Sequence, residues 1–235
     1  MAKRASSLLM GIFLCTAAYV WADPASSSAS PKSGWFVDSI GASEYISHFQ
    51  TSNGNAVTLP ELVLRGSAQL GSPRWHLSLR HFRGTSPRNS QNFQASVGDF
   101  EGRVEYRLDN PHAALRGDFF TKNVTAWLSW KIWSSTEYIG NQTIQERDEG
   151  LGLGISRSPS EKGLSYFYEA SVYPSVHTSL SDQKNAYTAS TGLAFNVTDS
   201  ISLHTGYRLQ TLRTGDLPNQ RAQEQGIIFG FKARF

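Results

Sequence analysis

Cysteine is almost absent from this chain: one, Cys15, in 235 residues. It lies in the apolar run Leu8 to Val20, so a mature chain without that run has no thiol to bind metal, attack a substrate or close a disulfide. Lipid attachment at Cys15 calls for a small residue before it, and Leu14 is bulky. Long apolar runs are equally scarce. No segment after Val20 approaches the roughly 20 residues that a membrane helix requires, and none holds a helical period long enough to compete with alternation. Strong net charge is missing too. The formal charge is +3, and losing Lys3 and Arg4 with the first segment leaves 20 basic residues against the 19 acidic ones. The sequence pI of about 9.0 therefore owes much to that segment, and a nucleic-acid partner is not indicated.

What is present begins with Lys3 and Arg4, continues through Leu8 to Val20 and ends in Val20-Trp21-Ala22 before Asp23. These are the charged, apolar and small-residue parts of a secretory signal, with cleavage expected after Ala22 and residues 1–22 removed. The segment 23–33, DPASSSASPKS, is small, polar and Pro-containing, and reads as a flexible lead-in.

The opposite end alternates strictly. Ile227, Phe229, Phe231, Ala233 and Phe235 fall on one face, with Ile228, Gly230, Lys232 and Arg234 on the other. Gly226, Phe229, Phe231 and Phe235 together resemble the C-terminal assembly signal of bacterial outer-membrane β-barrel proteins: a glycine followed at three and five residues by large apolar side chains, near a terminal aromatic. The resemblance implies export to the outer membrane of a Gram-negative-type envelope, a periplasmic lead-in, and partners that include outer-membrane lipid and the barrel-assembly machinery. The fold class it implies is all-β, a transmembrane antiparallel up-and-down barrel over 34–235. A mean hydropathy of −0.35 agrees with a barrel, because lipid-facing and lumen-facing residues average out along each strand.

The same alternation recurs along the chain. Leu62, Leu64, Gly66, Ala68 and Leu70 share one face, with Glu61, Arg65, Ser67 and Gln69 opposite. Trp75, Leu77 and Leu79 are expected to face lipid, as are Val124, Ala126, Leu128, Trp130 and Ile132. Comparable faces run through Leu151 to Ile155, Leu164 to Val172, Tyr187 to Val197 and Ile201 to Leu209. Tyrosines and tryptophans near strand ends suit interfacial girdles.

Sorting connections into short (Gly71 to Arg74, Asp109 to His112, Ser158 to Gly163, Thr198-Asp199) and long (Thr51 to Ala56, Gly84 to Ser90, Ser134 to Glu149, His177 to Asn185, Arg213 to Ala222) predicts about ten strands. In Gln91 to Leu108 and Ala113 to Trp133 the apolar face changes parity. β-Bulges near Gly98-Asp99 and near Phe120 to Asn123 account for this with ten strands; two extra turns would instead make twelve.

Three motifs bear on chemistry. Gly150-Leu151-Gly152-Leu153-Gly154 alternates like a strand and lacks a βαβ setting, so it reads as room in the lumen opposite Trp127 and Trp133 rather than as a nucleotide loop. His76-Leu77-Ser78 and His177-Thr178-Ser179 have a spacing similar to the His-x-Ser pairs of outer-membrane phospholipases and lipid A deacylases, which implies a lipid hydrolase; His76 and Ser78, however, are expected to face inward. The inward faces carry Glu61, Arg65, Arg80, Glu101, Arg103, Glu105, Arg107, Lys131, Glu169, Arg208, Lys232 and Arg234, with Asp38 and Glu44 as further candidates. Such charges either pair and fill a narrow barrel or line a mildly basic channel. The expected function is a small porin-like channel for small solutes, anions among them. Its alternatives are a non-conducting barrel with a structural or surface-adhesion role and, third, a lipid hydrolase. In size the chain also resembles the small twelve-stranded acidic-oligosaccharide porins. No cofactor, metal or catalytic residue is assigned.

Overall fold

The computed structural model describes residues 35–50, 55–70, 72–108, 123–159, 163–178, 184–213 and 221–235. The signal segment 1–22 and lead-in 23–33 lie outside them. Ten strands follow in order: β1 (Trp35–Gln50), β2 (Ala56–Leu70), β3 (Ser72–Thr85), β4 (Phe93–Arg107), β5 (Val124–Ile139), β6 (Gln142–Arg157), β7 (Leu164–Thr178), β8 (Lys184–Asn196), β9 (Ile201–Arg213) and β10 (Arg221–Arg234). Each pairs antiparallel with its neighbours in sequence, and β10 closes on β1, with Glu44 opposite Phe229 and Ile46 opposite Ile227. Closure leaves no sheet edge, so each strand has a hydrogen-bonded neighbour on both sides.

Polarity is inverted relative to a water-soluble sandwich. Leu128, Leu151 and Leu164 are 69%, 72% and 68% exposed on the outside, alongside Leu153, Phe195, Leu203, Phe229 and Phe231, while the buried interior holds Glu61, Arg80, Glu101, Arg103 and Lys131. A belt of this kind is stable only against an apolar solvent. Strands of 13 to 16 residues exceed the roughly 9–11 that a tilted strand needs to cross a bilayer, so they overrun the belt. The overrun lies at the end away from the chain termini.

That overrun explains the parity changes and corrects two expectations. No bulge occurs at Gly98-Asp99: β4 keeps unbroken register with β3 and β5. Phe93, Ala95 and Val97 instead point inward, where they pack with Phe49, Val57, Leu59 and Ile139, while Gln94, Ser96 and Gly98 take the outside. Beyond the lipid the apolar side turns inward because the solvent outside is now water. For the same reason Ser134 to Glu149 is not a long loop. β5 and β6 continue as a ladder to a turn at Gly140-Asn141, where Gly140 takes φ +60°. Register shifts occur elsewhere, at Val37/Ser39, Gln69/Leu70, Leu151/Leu153 and Tyr173/Val176. β5 begins at Val124; residues 109–122, with the turn anticipated at Asp109 to His112 and all but Asn123 of the second bulge, lie outside the described residues.

Candidate functional site

The barrel interior is layered along its axis. At the far end the apolar cluster just described packs inside β1, β2, β4 and β5, with Leu59, Phe93 and Ala95 each 0–1% exposed. Below it lies a charge network contributed by strands from all sides. Arg103 Nε donates to Glu101 Oε1 (2.7 Å), and its Nη2 donates to Glu101 Oε2 (2.8 Å) and to Glu169 Oε1 (2.9 Å). Arg80 forks onto both oxygens of Glu169 and comes within 3.9 Å of Glu101. Tyr173 Oη donates to Glu101 (2.6 Å). Bidentate geometry of this kind gives buried guanidinium–carboxylate pairs their strength.

A second group adjoins the first. Lys131 Nζ lies 3.0 Å from Asp99 and donates to Gln210 Oε1 (2.6 Å). Arg208 Nη2 donates to the same Gln210 oxygen (2.8 Å). Its guanidinium sits 3.9 Å from the Phe82 ring centroid and 5.5 Å from that of Tyr45. Glu61 accepts from Ser47 (2.8 Å) and faces Glu224. Glu101, Arg103 and Lys131 are 1–2% exposed, and Tyr45, Tyr173 and Val176 are 0%. A water-filled bore exposes its lining; through these layers most of the charged side chains are buried.

Glycine makes room for the fill. A Cβ on Gly154 would overlap the Trp127 ring, one on Gly152 the Tyr173 ring, and one on Gly150 would come within 3.4 Å of Trp133. The Gly150-Gly154 stretch thus faces Trp127 and Trp133, with Tyr173 against the middle glycine, Gly152. Trp127 in turn lies 4.2 Å beneath the Arg103 guanidinium.

The half of the interior nearer the chain termini is different. It contains a cavity of about 140 Å³ whose lining includes Ser39, Ser43, Arg65, Ser67, Glu105, His204 and Lys232. Arg65 approaches Glu169 at 3.8 Å with its side chain 44% exposed. Glu105 accepts from Ser78. Arg107 and Arg234, anticipated in the same set, join no ion pair among the described residues. Asp38 turns inward, where it accepts from Ser67 and lies 2.9 Å from His76 Nδ1. Glu44 does the opposite: its position is on the outer face between Ala42 and Ile46, exposed. His76 and Ser78 both face inward and are occupied with different carboxylates; Ser179 lies outside the described residues.

Sequence parity located the charged residues but missed Asp99, Tyr173, Gln210 and Glu224. Tyr173 and Gln210 share parity with Glu169 and Arg208, so the same alternation would have found them. At the seam, a Cβ on Gly226 would overlap the Ile46 carbonyl oxygen, while Phe229, Phe231 and Phe235 are exposed.

Among the described residues, no group of three or more His, Cys, Asp or Glu side chains is placed to hold a metal ion. No protein-family model and no curated protein matches the chain. Among solved structures it is similar to Neisserial surface protein A (12% identity, 86% of this chain and 99% of that one, TM-score 0.45). It is also similar to the β domain of the Bordetella autotransporter BrkA (11%, 85% and 100%, 0.46) and to the anion-selective porin from Comamonas acidovorans (11%, 86% and 100%, 0.30).

Proposed function

We propose that this chain is an outer-membrane β-barrel of a Gram-negative-type envelope whose interior does not conduct, and that it serves a structural or surface-contact role rather than solute passage. The observation that carries the reading is the buried layer of Arg80, Glu101 and Arg103, ion-paired with Glu169, beneath the apolar cluster at the far end. Ions cannot cross such a layer without breaking paired buried charges, which is strongly unfavourable. Among the described residues this burial favours a closed interior over the expected porin-like channel.

The membrane assignment is supported by the closed ladder and its apolar belt. The signal-like N-terminus and the terminal strand with Gly226, Phe229, Phe231 and Phe235 suit delivery by the barrel-assembly machinery. With both termini on the periplasmic side, as is usual for such barrels, the overrun projects outward. It presents Gln94, Ser96, Thr136, Tyr138, Thr143 and Gln145 to surface ligands.

Conductance in planar bilayers tests the reading. The folded protein is expected to be electrically silent. Steady single-channel steps that disappear on replacing Arg65, Arg80 and Arg208 would restore the channel.

A further inference from the structure

The cavity in the terminal half has an unbalanced wall. Arg65 on β2 and Lys232 on β10 both pair in register with Gly41 on β1, so their Cα atoms stand two strand spacings apart, about 9–10 Å. Between them the strand is bare. A Cβ on Gly41 would lie 2.8 Å from the Phe231 carbonyl oxygen and 3.5 Å from the Lys232 Cα, so the gap between the two cations is kept open by glycine.

The lining holds five cations, Arg65, Arg80, Arg157, Arg208 and Lys232, against the two acids Glu105 and Glu169, and no acid is given over to this pair. Glu169 is forked by Arg80 and bonded by Arg103, leaving Arg65 at 3.8 Å as its third cation. Asp38 serves His76 and Ser67, and Glu105 accepts from the Ser78 hydroxyl, keeping its charge in the wall but forming no ion pair with Arg65 or Lys232 among the described residues. Lys232 feels Asp38 and Glu105 but also the repulsion of Arg65, and among the described residues it makes no ion pair. Hydroxyls complete the wall: Ser39 and Ser67 are bonded to each other (2.7 Å), and Ser43 to His204 Nε2 (2.9 Å).

We propose that this cavity is a binding site for a phosphate group, taken up as free phosphate or a small soluble phosphomonoester from the end that carries the termini. Two like charges held apart across a bare strand are stabilised by one dianion between them. Ser43, accepting from an Nε2–H of His204, keeps its own hydroxyl proton for one of the remaining oxygens, and a cavity of about 140 Å³ suits a small anion. The closed-barrel reading enters only in fixing the side of access.

Titration calorimetry on the full folded chain in detergent, at low ionic strength in chloride buffer, tests this with inorganic phosphate, glycerol phosphate and micelle-borne phosphatidic acid as separate probes. Saturable binding of the first two is expected, weakened at least tenfold by Arg65→Gln or Lys232→Gln and unchanged by Arg83→Gln on the outer face. Arg65→Lys, which keeps the charge, should retain most of the binding, and the heat-dependent gel shift of each variant verifies its fold. Absence of saturable binding overturns the proposal. So does binding indifferent to both Gln substitutions, or binding of phosphatidic acid alone. Channel steps together with intact phosphate binding would overturn only the closed-barrel reading; a silent barrel that ignores phosphate would overturn only this one.

Discussion

Replacing Arg103 by Met keeps an unbranched apolar stem, about two atoms shorter, and removes three charge-assisted hydrogen bonds from a residue only 2% exposed. Glu169 is the less affected partner, since Arg80 still forks onto it and Arg65 lies at 3.8 Å. The deficit falls on Glu101, left with the Tyr173 hydroxyl at 2.6 Å and Arg80 at 3.9 Å. Breaking one side of a buried ion pair costs about 3–5 kcal/mol. The residual partners place Arg103→Met near the lower figure, with up to about 2 kcal/mol of it from the lost contact over Trp127. Adding Glu101→Gln removes the stranded charge, so the double variant is expected to recover part of the loss and stand above the single one. Reversible urea unfolding in lipid vesicles, followed by tryptophan emission, measures both. A loss below about 1 kcal/mol, the value of an exposed pair, would refute the reasoning. So would a double variant no more stable than Arg103→Met alone.

Two other substitutions probe the outer face and the packing. Glu44 lies on the lipid side one row short of the belt's upper edge, so Glu44→Leu is expected to raise unfolding stability by up to about 1 kcal/mol in the same assay; a marked loss would reveal a partner for the carboxylate. Gly154→Val would drive a side chain into the Trp127 ring and bring its Cβ within 2.6 Å of the Ala170 carbonyl oxygen. Overpacking of this kind typically costs about 1–3 kcal/mol, and the folded band in unheated gel electrophoresis should weaken; an unchanged band would show that Trp127 moves aside freely.

Alternation made the barrel legible because lipid rewards one face of every strand along most of its length. Leu62 to Leu70, Trp75 to Leu79 and Ile227 to Ala233 needed nothing more than parity. Where the strands leave the lipid, the assumption that apolar means outside fails. Phe93, Ala95 and Val97 then imitate a bulge, and the polar run from Ser134 to Glu149 imitates a loop. The network was half legible. Parity assigns a face but not an azimuth, so Arg80 and Glu169, 89 positions apart in the chain, reveal their pairing only when the cylinder closes. Glu44 departs from its expectation for a different reason: charge points to the lumen, whereas near the belt's edge a carboxylate faces outward. Asp99 was lost to the supposed bulge.

The reversal of apolar side chains on β4 is also a waterline inscribed in the sequence. Phe100, Val104 and Tyr106 lie below it and Val97, Ala95 and Phe93 above it, so the boundary passes between Val97 and Phe100. The line cuts obliquely across the ladder: Phe100 is opposite Ile132 on β5, and Ile132 is opposite the exposed Glu149 on β6. Successive strands therefore surface at different rungs, and joining those points strand by strand draws the plane of the bilayer around the cylinder. The inclination of the protein to its membrane can then be read from the residues alone.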